Sequence, residues 1–167
     1  MGCRLIPDIS VGSIYDISPR RLRDMGVSLL LMDLDNTMSP YHIHKTTTEL
    51  TTWVDSLKAE GIEPFILSNN RGERPARFAA QLDIGYVGRA KKPSEKVMLG
   101  VMAEKGVSPG NTAVIGDQIF TDTLCAKRGG VLAILVKPIC VRRNPLLALR
   151  YGLELPFRLM ARRKNNG

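Results

Sequence analysis

Asp33 and Asp35 stand one residue apart, directly after the apolar run Leu29-Leu30-Leu31-Met32. Side chains two positions apart on an extended chain point to the same side, so both carboxylates are expected to face one place. A third acid, Asp117, closes the apolar stretch "AVIG", and Asp122 follows five residues later. Ser68 and Asn69 end the stretch "PFIL", and Lys92 precedes Pro93. Carboxylates gathered around a lysine can hold a hard cation, attack an electrophilic centre and move protons. The bland alternative is acids that face water or cap helices, and the apolar approach to Asp33 argues against it. Ser-Asn-Asn after a strand is also ordinary turn chemistry. Lys91 beside Lys92 leaves the register between two lysines open; Pro93 favours Lys92.

The elements that must position these residues follow from periodicity. Residues 27 to 34 read as a buried strand. In "TTTELTTWVDSLKAEG" the residues Leu50, Trp53, Val54 and Leu57 recur at helical spacing, and Gly61 is suited to stop the helix. "IEPFILSNN" is a second strand. A helix over 72–82 carries Phe78, Ala79 and Leu82 inward, and the short strand "IGYVGRA" follows. A third helix begins after Pro93 with Val97, Met98, Val101 and Met102 on one face and ends at Gly106. "NTAVIGDQ" is a further strand, "TDTLCAKRGG" a helix closed by Gly129 and Gly130, and "VLAILVKPI" a last strand. Strands alternating with helices predict an α/β fold, a Rossmann-like three-layer sandwich with a central parallel sheet. The candidate residues all fall at the C-terminal ends of strands or the starts of helices, the edge where such sheets bind ligands.

With 167 residues, 44% hydrophobic and 24% charged, the chain is suited to one domain with one core. The net charge of +8 implies an anionic counterpart: a phosphorylated substrate, an acidic membrane surface or nucleic acid. Aromatic residues are only 5% of the chain, which disfavours base stacking and hence nucleic acid. Cys3, Cys125 and Cys140 are odd in number and lack zinc or CxxC spacing, in keeping with a reducing compartment. The start "MGCRLIP" has no apolar signal core, and Ile6 does not fit a myristoylation motif. No apolar run reaches the roughly 18 residues a bilayer span needs. A cytoplasmic location is expected, with a peripheral one at the inner face of the membrane as a variant. His42 and His44 are expected on a loop overhanging the site and lack a third ligand. Cys125 is expected to be a buried small hydrophobe.

The ordered set Asp33-Leu34-Asp35-Asn36-Thr37, Ser68-Asn69, Lys92-Pro93 and Gly116-Asp117 with Asp122 resembles the haloacid dehalogenase (HAD) superfamily of phosphohydrolases over roughly residues 27–138. More narrowly, "YDISPRRLRDMGVSLLLMDLDNT", "SNNRGER", "AKKPSEK" and "VIGDQIFTD" are similar to the YqeG family of type IIIA phosphatases, related to the mitochondrial phosphatidylglycerophosphatases. The resemblance implies a magnesium-dependent phosphomonoesterase that works through an aspartyl-phosphate, with phosphatidylglycerophosphate as substrate. The chemistry fits the residue types. Asp33 would attack phosphorus, and Asp35 would act as general acid on the leaving oxygen and then as base on water. Mg²⁺ would be held by Asp33, Asp117 and the backbone carbonyl of Asp35. Thr37, Ser68, Asn69 and Lys92 would bind the phosphate, Lys92 also neutralising the nucleophile, and Asp122 would orient a metal-bound water or Lys92.

One loop and one helix fill the segment between Thr37 and Ser68, so no large cap domain is expected and the site should be open to a bulky substrate. The chain is expected to divide into a lead, 1–26, packing on the core, the phosphatase core, 27–140, and a basic amphipathic tail, 141–167. The tail suits an anionic membrane surface, with Pro156 expected to break or kink it. Its alternative is that Leu146, Leu147, Leu149 and Leu153 pack on the core while the arginines face water. Two further functions stay open: a phosphatase of nucleotides or polynucleotide ends, and a non-catalytic scaffold at membrane or RNA.

Overall fold

In a computed structural model, residues 4–140 and 145–165 are described, excluding the side chains of 146, 147 and 162–165. Expectations for Cys3, Leu146, Leu147 and the terminal basic side chains lie outside the described residues. The strands are β1 (Ile9–Ser10), β2 (Leu29–Met32), β3 (Glu63–Leu67), β4 (Gly85–Val87), β5 (Thr112–Gly116) and β6 (Leu132–Leu135). They form one six-stranded sheet in the order β1-β6-β5-β2-β3-β4, with every pairing parallel.

Alternate residues of each central strand feed two separate cores, which is why the strands are apolar throughout rather than half polar. Leu30, Met32, Ile66, Ala113 and Ile115 face one layer, formed by helix α1 (Pro19–Asp24), α2 (Thr48–Ala59) and α3 (Arg74–Leu82). Leu29, Leu31, Phe65, Leu67 and Val114 face the other, formed by α4 (Lys96–Lys105) and α5 (Leu124–Gly129). The result is the expected three-layer α/β sandwich, with no large cap between β2 and β3.

The helix boundaries have local causes. Thr47 accepts from the N–H of Leu50 at 3.1 Å and starts α2. Gly106 and Gly130 close α4 and α5 in the left-handed region, with φ of 66° and 70°. The helix expected from Thr121 begins earlier, in a π-helical turn over Ile119–Thr123 that runs into α5.

The lead carries β1, an edge strand that sequence periodicity could not show because it has two residues. It is fixed by Asp8, whose carboxylate accepts from the Ala133 N–H at 2.9 Å and pairs with Lys127.

The last helix, α6 (Pro145–Asn165), lies against β1 and the π-helical turn. Its polarity departs from the reading in which Leu149 and Leu153 pack on the core. Leu149 and Leu153 are 63% and 60% exposed, whereas Arg158 and Glu154 are buried. Beneath α6 lie loop backbone groups that need polar partners, so Glu154 and Arg158 turn inward and the leucines are left outside. Pro156 does not break the helix: it sits on the exposed side, where solvent can reach the carbonyl its missing N–H leaves free.

Candidate active site

The site forms where β2 and β5 end side by side. Their pairing, Met32 opposite Ile115, extends one step beyond β2: the Asp33 N–H donates to the Ile115 carbonyl at 2.9 Å. Asp33 is therefore held by the sheet itself. After it the chain turns through Asn36, whose φ of 64° is a conformation asparagine tolerates. The Asn36 N–H donates to Ser39 O at 2.9 Å, and this turn aims Thr37 back at the sheet.

Asp33, Asp117 and Asp122 are all buried, and carboxylate oxygens from the three lie within 4.8 Å of one another, close enough to hold a metal ion. Lys92, 6% exposed, donates to Asp33 Oδ1 at 2.7 Å and to Asp122 Oδ1 at 2.6 Å. Lys91 is exposed and makes neither contact. The Lys92 backbone is clamped by the Asn69 side chain, which donates to its carbonyl at 3.0 Å and accepts from its N–H at 2.8 Å. The Asn69 side chain thus sets the lysine.

One ammonium among three buried acids leaves negative charge to be met. Burial pushes the Asp33 carboxyl up to about 6; Lys92 opposes this, and the charges of Asp122 and Asp35 reinforce it. Burial also raises Asp117 well above the usual carboxylate range, with Asp33 and Asp122 reinforcing and Thr37 and Arg158 opposing. For Lys92, burial favours the neutral amine, but Asp122 and Asp33 outweigh it and raise the ammonium above its ordinary value. Thr37 Oγ1 lies 3.2 Å from both Asp33 Oδ2 and Asp117 Oδ1. A hydroxyl has one proton, so without a metal this trio is fully satisfied only when one acid is itself protonated. A hard cation bound to the same oxygens fills that need, so the donor set fits one.

Ser68 is buried; its hydroxyl oxygen accepts from the Asn70 N–H at 3.1 Å, which leaves its proton to donate elsewhere. Asp35 stands apart from the three buried acids, its side chain 21% exposed. It accepts from Asn70 Nδ2 at 2.9 Å and forms a 2.8 Å ion pair with Arg74 that lacks directional hydrogen-bond geometry. Arg74 also donates to the carbonyls of Pro40 at 2.7 Å and Ile43 at 3.1 Å, tying the loop above the site to α3. Burial lowers the Arg74 value, and Asp35 opposes that shift. His42 and His44 are exposed on this loop. Cys125 is buried and its thiol is pushed up to about 12, chiefly by burial, so it is no nucleophile at neutral pH.

Sequence reasoning assigned no role to Asn70 and Arg74, although both lie in the quoted stretch "SNNRGER". It also missed Glu154 and Arg158. Arg158 donates to the carbonyl of Asp117, and Glu154 Oε1 accepts from the N–H groups of Ile119 at 2.7 Å and Phe120 at 3.1 Å. The available signal was the four-residue spacing of Arg150, Glu154 and Arg158, the charged residues of the stretch 145–161.

Comparison with known proteins gives the family. The family model of HAD-hydrolase-like proteins matches residues 89–138, the stretch from before Lys92 to beyond β6. Phosphatidylglycerophosphate phosphatase 1, chloroplastic, of Chlamydomonas reinhardtii is 24% identical over 149 residues, spanning 84% of this chain and 55% of that protein. The fold is shared with 3-deoxy-D-manno-octulosonate 8-phosphate phosphatase from Moraxella catarrhalis, solved in complex with magnesium ion, phosphate ion and KDO. That match has a TM-score of 0.50 and 18% identity, and covers 83% of this chain and 94% of the other. Probable phosphatase YqeG of Bacillus subtilis (strain 168) is 30% identical over 162 residues, 97% of this chain and 93% of its own length. With that extent of likeness, and with buried acids around a lysine at the strand ends, the chain belongs to the YqeG family of HAD-type phosphatases.

Proposed function

We propose that this phosphatase cleaves phosphate monoesters through an aspartyl-phosphate on Asp33, with Mg²⁺ as cofactor, and that its substrate is phosphatidylglycerophosphate. The observation that carries the chemistry is the buried Lys92 shared by Asp33 and Asp122 beside Asp117. An Asp33 oxygen attacks phosphorus as the bond to the leaving oxygen breaks, and Asp35 gives that oxygen a proton. Asp35 then takes a proton from water as the water attacks the aspartyl-phosphate, releasing inorganic phosphate and restoring Asp33. Ser68, Asn69, Thr37 and Lys92 hold the phosphoryl oxygens, while Asn70 and Arg74 orient Asp35. Asp33, Asp117 and the Asp35 carbonyl would hold Mg²⁺, which when bound offsets the repulsion between carboxylate and phosphate. Asp122 acts through Lys92.

Three features support a lipid. Among the described residues no large cap covers the site, and a groove lined by Ile14, Met38, Ile43, Leu50 and Ile139, with Lys45, Glu49 and Lys137, runs beside Thr37. The outward face of α6 is apolar: Leu149, Leu153, Leu155, Leu159 and Met160 are 45% to 63% exposed. In sequence this face lies between Arg142-Arg143 and Arg162-Arg163-Lys164 on a chain of net charge +8. An apolar face bordered by cations suits an anionic lipid surface. Among the described residues no helix is long and apolar enough to cross a membrane, so the association would be peripheral.

The deciding assay is magnesium-dependent phosphate release from phosphatidylglycerophosphate in mixed micelles, beside an aryl phosphate, a sugar phosphate and a 5′-phosphorylated oligonucleotide. Lipid turnover well above the others, and lost in Asp33→Asn, is the expected result. Turnover of another substrate alone would keep the mechanism and discard the lipid.

A further inference from the structure

α6 grips the loop after β5 residue by residue. Arg158 donates to the carbonyl of Asp117, and to the Val136 carbonyl at 3.4 Å. Arg150 donates to the Gln118 side chain at 2.8 Å. Glu154 Oε1 accepts from the N–H groups of Ile119 and Phe120, and the Phe120 ring meets Phe157 edge-on at 6.1 Å. Glu154 Oε2 in turn accepts from Arg158 Nη2 at 2.7 Å, and the Arg158 guanidinium stacks on Tyr151 at 4.5 Å. Glu154 is 1% exposed and Arg158 8%, so this pair is built into the interior.

The gripped loop contributes two of the three clustered acids. Asp117 is its first residue, and the π-helical turn that Glu154 caps carries Asp122, whose Oδ2 accepts from the Gln118 N–H at 3.1 Å. Without α6, the N–H groups of Ile119 and Phe120 and the Asp117 carbonyl would lose these partners, and loop amides so freed re-orient toward water. The Asp117 carboxylate would move with its backbone.

We infer that Glu154 and Arg158 are positioning residues for metal binding: by fixing the backbone of 117–120 from α6, they hold Asp117 where it completes the acidic cluster. The inference rests on the reading of Asp117 as a metal ligand. Groups that orient ligands in this way are worth about 10- to 100-fold in metal affinity.

The test is calorimetric titration of the full-length, metal-free protein with magnesium chloride, comparing wild type with Glu154→Ala, Glu154→Gln, Arg158→Ala, Arg158→Lys and Asp117→Asn. Glu154→Ala and Arg158→Ala weaken Mg²⁺ binding by about 10- to 100-fold. Glu154→Gln keeps an acceptor for both N–H groups and loses less, and Arg158→Lys recovers part of the loss. With aryl phosphate, the Glu154 and Arg158 variants show the same order in the magnesium concentration for half-maximal turnover. Should an alanine variant fail to fold, Glu154→Gln and Arg158→Lys carry the comparison. Variants that melt at lower temperature yet bind Mg²⁺ as wild type does would make the pair purely structural and overturn the inference. Unchanged binding in Asp117→Asn would instead overturn the ligand reading beneath it.

Discussion

Lys92 makes two ion pairs from one ammonium while almost out of contact with water. Removing one member of a buried charge cluster costs about 3–5 kcal/mol because the others stay buried and unpaired. Lys92→Met is therefore expected to lower metal-free stability by about that amount at pH 7 and by less at pH 5, where the stranded acids take up protons; denaturant unfolding at the two pH values checks this. Asp33 itself gives a signed pH dependence. Its value is raised on folding, so the metal-free folded chain binds the proton more tightly than the unfolded chain does. That stabilisation is complete below the unfolded value of about 3.9 and is lost as pH rises through about 6. In chelator, wild type should lose stability relative to Asp33→Asn between pH 4.5 and 7.5, and magnesium should remove the difference. Asp33→Asn should also lose turnover by a factor on the order of a thousand or more, as removal of a nucleophile does, measured as phosphate release. At this scale the sequence was legible wherever an acid closes an apolar run. Arg74, Glu154 and Arg158 were not legible, because their partners are mainly backbone groups that only the tertiary fold brings near.

The loop from Gly116 to Thr123 shows how tightly an element can constrain one residue. A Cβ on Gly116 would fall inside the carboxyl group of Asp122, so only glycine lets that acid lie against the end of β5. Gly116→Ala is expected to cost about 1–3 kcal/mol, the usual range for overpacking, and to weaken Mg²⁺ binding as Asp122 and Lys92 shift together. Thermal unfolding and calorimetric titration of the folded variant would separate the two effects. Helices and central strands were readable because each carries enough residues to display its period. β1 has two residues and no period, and the π-helical turn starts two residues before the expected helix because Glu154 caps it from a distant part of the chain. The core-packing alternative for α6 failed for a physical reason: it takes the apolar face as inward, yet the loop beneath offers peptide groups that Glu154 and Arg158 satisfy.

For the whole molecule, a net charge of +8 accompanies an exposed apolar face on α6. Sedimentation with vesicles containing phosphatidylglycerol should carry the protein down, more weakly as salt rises. Leu153→Glu with Leu159→Glu should reduce that binding about tenfold or more, equivalent to about 1.4 kcal/mol, while leaving aryl phosphate turnover intact. Equal binding by the double variant would place the contact elsewhere. The sheet order has a separate consequence for synthesis. β1 comes first in the chain, yet its partner is β6, with Ile9 opposite Ile134. During translation the first strand has no sheet partner until β6 has left the ribosome. The sheet can close only once β6 emerges, so a nascent chain halted before β6 retains the central strands but exposes both the edge of β5 and the unmatched backbone of β1.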